Sequence, residues 1–222
     1  MAFDGPLITD YDNVASLNLA YLRLIRRDEV LQKGLHEIPE PYRCRITALD
    51  QAEAERLAAT PFLLFSFRET DDLYWNRILA APAERDLFRS AVSESVDTVI
   101  CAGLGFVWQL AQRNPYALRL TCGATLYWCE RIAELTFYRL IDAVRCSGEV
   151  PILRVGHQHE LWRKLLGYGV SRMETVRRAA QMSALQAVLT GPPDRRRERW
   201  SLAARNVRAP GLEVAEENDP QR

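Results

Sequence analysis

The stretch that most constrains this chain is Leu57 to Asp72, LAATPFLLFSFRETDD. Alanine-rich text that reads as helix runs into Pro61, which pushes the residue before it out of the α region and so ends the helix. Large apolar residues follow at Phe62, Leu63, Leu64, Phe65 and Phe67, and charge returns at Arg68 and Glu69. The run is too short for periodicity to separate helix from strand, but proline before it and charge after it favour a strand. Burying such a segment with unpaired amides and carbonyls is costly, so it needs a partner. Two candidates exist: a second strand around Tyr42 to Thr47, or a second copy of the same strand across a dimer. Asp71 and Asp72 then stand where a side-chain acceptor and a favourable helix dipole start the next helix.

The rest of the chain reads as helix. Residues 12–33 place Val14, Leu17, Tyr21, Leu24, Ile25, Asp28 and Leu31 on one side at steps of three and four, predicting an amphipathic helix that ends at Gly34. Pro39 and Pro41 make HEIPEPYRCR a stiff connector. Asp50 followed by Glu53 is a capping-box signature for a helix that stops at Pro61. After a short helix through TDDLYWNRILAAP come two long helical runs separated at Asn114-Pro115. The first run carries Gly103 and Gly105 as a kink or a close packing point. In the second, Leu126, Ala133, Phe137, Leu140 and Ile141 face the core, opposite Glu130, Arg131, Glu134 and Arg139. A connector from Gly148 to Gly156 leads to two helices joined around GYGVS. The expected class is mainly α: a helical bundle with one short β element and a C-terminal helix-turn-helix-like hairpin. The division drawn is 1–82, a dimerisation or partner-binding unit; 83–149, a central helical bundle; 150–190, a basic helical hairpin; and 191–222, a proline-, arginine- and acid-rich tail expected to be mobile or ordered by a partner.

Charge matters through its distribution. Basic and acidic residues balance at 29 each, which excludes a general polyanion binder and an acidic solvating chain. Arg and Lys against Asp and Glu count 16 to 21 over residues 1–150, 12 to 4 over 151–208 and 1 to 4 over 209–222. A basic stretch is thus hidden inside a neutral total. No secretory signal is read at the N-terminus, and the longest apolar run, Val99 to Leu110, is too short to span a bilayer, so a cytoplasmic location without a membrane is expected.

Motifs for chemistry are sparse. Cys44, Cys101, Cys122, Cys129 and Cys146 are an odd, widely spaced set without a CxxC, read as reduced thiols and mostly buried small hydrophobes. Cys122 and Cys129 are expected to share a helix face. His157 and His159 diverge if they open a helix, which leaves a metal or general-base role as the weaker reading. Asp71 and Asp72 have no nucleophile beside them, and there is no phosphate-binding glycine loop, GxSxG or HExxH. The expectation is therefore a chain that is not an enzyme, with no cofactor and no metal.

KLLGYGVSRMETVRRAAQM carries more. A helix, a glycine-containing turn, a Ser able to cap the next helix and a helix bearing arginines is the layout by which a recognition helix approaches DNA. Arg163, Lys164, Arg172, Arg177 and Arg178 are the candidate DNA contacts. The spacing from Gly169 to Val176 is one residue longer than the compact form of that turn, and a plain helical hairpin with a solvated basic face is the alternative.

Two stretches together resemble the family of the bacterial flagellar master regulator FlhD. One is Asn18-Leu19-Ala20-Tyr21-Leu22 followed by Leu24-Ile25; the other is Leu57, Ala58, Thr60, Leu63, Phe67 and Arg68, in that family's LAxTxxLxxxFR pattern. The resemblance implies an all-helical, dimeric cytoplasmic regulator subunit that joins an FlhC-like partner to activate transcription. It places Leu17, Tyr21, Leu24, Leu63, Phe65 and Phe67 as candidate dimer or partner-interface residues. The family's cysteine in the second stretch is Phe65 here, so no inter-subunit disulfide is implied there. Pro61 and Phe62 replace polar residues, and the remaining two thirds of the chain have no counterpart. The leading expectation is a transcriptional regulator or regulator subunit acting as a homodimer or higher oligomer, with an FlhC-like partner and DNA contact; the alternative is a helical adaptor that does not touch DNA.

Overall fold

A computed structural model of the chain describes residues 5–33, 35, 38–81, 93–147, 151–154 and 159–190. These are mainly helical, with one very small sheet. The first helix, α1 (Ile8–Ile25), starts earlier than its apolar spacing suggests because the Asp10 carboxylate reaches back to the Leu7 amide at 2.7 Å. The chain breaks at 26–28 and resumes as α2 (Glu29–Lys33), where Asp28 accepts from the Leu31 amide at 3.1 Å. The predicted 12–33 helix is therefore two, and Asp28 is a turn residue at the join.

The proline connector is another correction. Glu40–Thr47 is a helix, α3, with Pro39 at its N-cap and Pro41 in its first turn, where a missing amide proton costs nothing. Since Tyr42 to Thr47 is helical, it cannot supply a strand to the apolar insert. α4 (Gln51–Ala58) has the expected capping box: Asp50 accepts from the Glu53 amide at 2.6 Å, and Glu53 accepts from the Asp50 amide at 3.1 Å.

The insert then yields a strand of two residues, β1 (Phe65–Ser66), paired antiparallel with β2 (Ile152–Leu153) in the register Phe65↔Leu153 and Ser66↔Ile152. Its partner is neither of the two expected; it comes from much later in the same chain. The remaining polar groups of the insert are met by side chains and loops. Asn18, fully buried, donates to Ala58 O at 3.1 Å and Phe62 O at 2.9 Å and accepts from the Leu64 amide at 2.7 Å. The Leu63 amide reaches Thr121 O at 2.8 Å, and Leu64 O accepts from the Arg154 amide at 2.8 Å. The Arg154 guanidinium, itself buried, donates to Leu63 O at 2.6 Å, to Phe65 O and Glu69 Oε1 at 2.7 Å each, and to Cys122 O. Ser66 Oγ donates to the other oxygen of Glu69.

Asp71 caps α5 (Asp72–Ala80), accepting from the Tyr74 amide at 3.0 Å. α6 (Glu94–Arg113) runs through Gly103 and Gly105 without a break. Gly103 marks close packing: a Cβ there would lie 2.8 Å from Phe67 Cζ. Asn114 starts α7 (Pro115–Cys122). The second long run does not persist as one helix. Gly123 adopts a left-handed conformation with φ +62, Thr125 caps α8 (Leu126–Ala133), and α9 (Phe137–Ser147) follows. Cys122 and Cys129 therefore sit on different helices, both buried. Burial holds both thiols up, Cys129 to about 12.

α1 packs on α4 and α6, and α6 packs on α7, α8 and α9. The boundaries drawn at 82/83 and 149/150 do not divide this packing. β1 pairs with β2 across both, and Met1–Thr190 clusters as one compact unit. Residues 191–222, including DRRRERW, lie outside the described residues. Among the described residues no helix is long and apolar enough to cross a membrane.

Candidate nucleic-acid interface

The C-terminal hairpin is built on β2. From Arg154 the backbone carbonyl accepts from Trp162 Nε1 at 3.1 Å, which seats α10 (His159–Lys164) with Leu161 and Trp162 buried beneath it. α10 widens into a π-helical turn, Leu165–Gly169, whose Leu165 and Leu166 are also buried. A π turn accommodates an extra residue within a helix and often marks a functional position. The chain then turns through Val170 to Met173. Arg56 of α4 donates to Val170 O at 2.6 Å and its own carbonyl accepts from Gln181 at 3.1 Å, so one residue pins both the turn and the last helix, α11 (Glu174–Thr190). Ser171 serves the turn by accepting from the Met173 amide at 3.1 Å.

All five cations proposed from sequence are exposed or half-exposed, and their surroundings differ. Arg163 is exposed and bound to Glu160 one turn back, which holds that carboxyl below its usual range and raises the guanidinium. Lys164 lies on an open cleft of about 490 Å³ with His159, Glu160, Ser183, Ala184 and Ala187. Arg172 is exposed and makes no ion pair or hydrogen bond among the described residues. Arg178 is exposed and paired with Glu174 at 2.7 Å. Arg177, half-exposed like Lys164, differs in donating to Ser171 O at 3.0 Å, so it also braces the turn. Over 159–190 the count is five cations to two acids.

The proposed interface residues of the N-terminal third are placed elsewhere. Tyr21, Leu24, Leu63, Phe65 and Phe67 are buried in this chain's own core, and Leu17 is half-buried against it. Tyr21 packs against Phe65 with ring centroids 4.8 Å apart and planes tilted by 40°, and donates to Pro151 O at 3.3 Å. Burial raises its phenol well above the ordinary value. The five buried side chains are used in this chain's own packing, and Leu17 keeps part of its surface exposed. What the N-terminus does expose is Leu7, Ile8 and Tyr11, at 53, 82 and 40 %. They precede the expected helix start, so the apolar spacing that marked the core gave no sign of them.

His157 and Gln158 lie outside the described residues; His159 opens α10, exposed, as a helix-start residue. Of the cysteines, Cys44 is exposed and Cys101 and Cys146 are half-buried, so only Cys122 and Cys129 are buried small hydrophobes in full. Sequence reading passed over Asn18, Arg154 and Glu69 as polar residues with roles of their own. Asn18 had a signal in the resemblance; Arg154 had none beyond being a lone arginine beside an apolar pair. No protein-family model, curated protein or solved structure matches the chain.

Proposed function

We propose that the chain is a non-enzymatic transcription-regulator subunit, similar to FlhD in its N-terminal third, that contacts duplex DNA through the α10–α11 hairpin. The observation that carries the reading is the hairpin itself. A short-turn helix pair, fixed to the body by Arg56, holds Arg172 exposed just before α11, with no counter-ion among the described residues, and α11 itself displays Arg178. Cations on a rigid short-turn scaffold are what phosphate positioning requires. The FlhD-like part of the proposal draws support from the physical link between its two stretches: Asn18 of the first bonds directly to Ala58, Phe62 and Leu64 of the second.

Fluorescence anisotropy of a labelled duplex at increasing salt tests it. The proposal expects log K to fall linearly with log salt, at a slope of roughly −0.9 per phosphate neutralised. Absent or salt-insensitive binding sinks the DNA reading. The second reading, an adaptor that binds protein only, is favoured by the exposed Leu7, Ile8 and Tyr11 on the first turns of α1. A homodimer or an FlhC-like partner would use such a surface, since the core residues are spent. Light scattering after size exclusion reads this directly: a dimer that Ile8→Asp with Tyr11→Asp converts to monomer locates the surface, and a dimer indifferent to both moves it elsewhere.

A further inference from the structure

We infer that the outward face of α11 reads base edges in the major groove, with Arg178 and Gln186 as the residues that set sequence preference. This rests on the hairpin being a DNA contact and adds what that contact distinguishes. One side of α11 is committed to the body: Ala180, Gln181 and Ala184 are buried, and Gln181 is bonded to Arg56 O. The opposite side is open. Thr175, Arg178, Ala179, Met182 and Gln186 are all exposed, at steps of three and four that align them on one face.

The chemistry of that stripe suits bases better than phosphates. An Arg can bond both acceptors of guanine, a Gln can bond donor and acceptor of adenine, Thr can serve either, and Ala or Met can lie against a thymine methyl. After Glu174, which Arg178 neutralises at 2.7 Å, α11 carries no acid. That ion pair is solvent-exposed and so is readily exchanged for a base contact. The cations sit at the margins, where phosphates flank the groove. Arg172 precedes the first turn, and Lys164 stands across the cleft from Ser183 and Ala187. α10 cannot take this role, because it spans only His159–Lys164 and buries Leu161 and Trp162.

The test is selection from a random duplex library, using the full chain as wild type, Arg178→Ala, Gln186→Ala and Arg172→Ala. All three positions are exposed, and circular dichroism checks that the variants keep their fold. Wild type should enrich a short motif. Arg178→Ala and Gln186→Ala should each relax one position of it, lowering discrimination at that base pair by roughly 5- to 150-fold. Arg172→Ala should weaken binding to all sequences alike and leave the motif intact. Duplex binding with no enriched motif overturns this inference and leaves the DNA contact standing. So does an Arg178→Ala that weakens every sequence equally, as a phosphate contact would. Absence of duplex binding at any salt overturns the DNA contact, and this inference with it.

Discussion

Polar residues do opposite things in the apolar insert and in the C-terminal hairpin. Around Phe62–Phe67 Asn18, Arg154 and Glu69 are buried and consumed: Asn18 by Ala58, Phe62 and Leu64, and Arg154 by three carbonyls and Glu69. Along α10 and α11 the cations are exposed or half-exposed, and the ion pairs they make are short-range surface pairs, Arg163 with Glu160 and Arg178 with Glu174. The first set makes a non-repetitive backbone segment stable in an apolar interior, where unsatisfied groups are expensive. The second contributes little to holding the fold and is left available to something outside it. Substitutions should therefore separate the two regions by what they damage.

The largest effect is expected at Arg154. Arg154→Met strands the Glu69 carboxylate, 1 % exposed, together with the carbonyls of Leu63, Phe65 and Cys122. Breaking one side of a buried pair costs about 3–5 kcal/mol. Adding Glu69→Met should recover part of that, because the uncompensated charge is gone while the carbonyls remain bare. Urea unfolding of wild type, single and double variants gives the comparison. A single variant that loses less than about 1 kcal/mol would mean water reaches the cluster.

Next comes Asn18→Leu, which preserves size and removes partners from two carbonyls and one amide in a site with no exposure. Leaving buried groups unsatisfied costs about 1–3 kcal/mol each, partly relieved by relaxation, so a loss of about 3 kcal/mol is expected. The same denaturation series reads it. If Asn18→Leu proves harmless, the insert is held by β2 and Arg154 alone.

Much of the first region was legible in outline and not in mechanism. Pro61 as a helix stop, Asp50 as a cap, a cap at Asp71 or Asp72 and a break at Asn114-Pro115 all follow from local chemistry; the structure puts the second cap on Asp71 and makes Asn114 the cap that opens α7. The partner of the insert was not legible. Local propensity cannot reveal a pairing with Ile152–Leu153, and two ladder positions leave no alternating pattern in either segment. Pro41 misled for a related reason: proline forbids a helix interior but not a first turn, and only the chain downstream decides which it occupies. The interface residues Tyr21, Leu63 and Phe65 were apolar enough for either a core or a contact surface, and periodicity does not distinguish the two. The hairpin was readable as two helices joined near GYGVS, but not in detail: Gly167 and Gly169 lie within the π turn, the link is Val170 to Met173, and Ser171 bonds the Met173 amide inside that link, ahead of the start of α11 at Glu174.

A middle-sized effect should appear where α7 ends. Gly123 has φ +62, and a Cβ there would strike the Val188 side chain of α11. Gly123→Ala pays for the left-handed backbone, about 1–2 kcal/mol, and for the clash in addition. Combining it with Val188→Ala should return only the steric part. If the double variant returns everything, the backbone at 123 has moved out of the left-handed region. Because Val188 lies near the end of α11, these variants also report whether the body holds that helix in place. Duplex affinity that falls in step with stability would show that the hairpin's function depends on this seating.

The smallest effect on stability, and the sharpest test of the contrast, is expected in the hairpin. Arg172→Ala with Arg178→Ala removes two exposed guanidiniums, one without a partner among the described residues and one held by a single exposed acid. Surface changes of this kind alter stability within about 0.5 kcal/mol. The urea midpoint should therefore stay near that of wild type, while the salt slope of duplex binding falls in magnitude by about one, the phosphate contact of Arg172, and the loss of Arg178 shows in sequence preference. Arg177→Ala is the control that should behave differently, since its guanidinium also holds Ser171 O. It should lower both the midpoint and the affinity. A double variant as damaging to the fold as Arg177→Ala would erase the distinction between residues that build the hairpin and residues it displays, and with it the argument that these arginines are there for a partner.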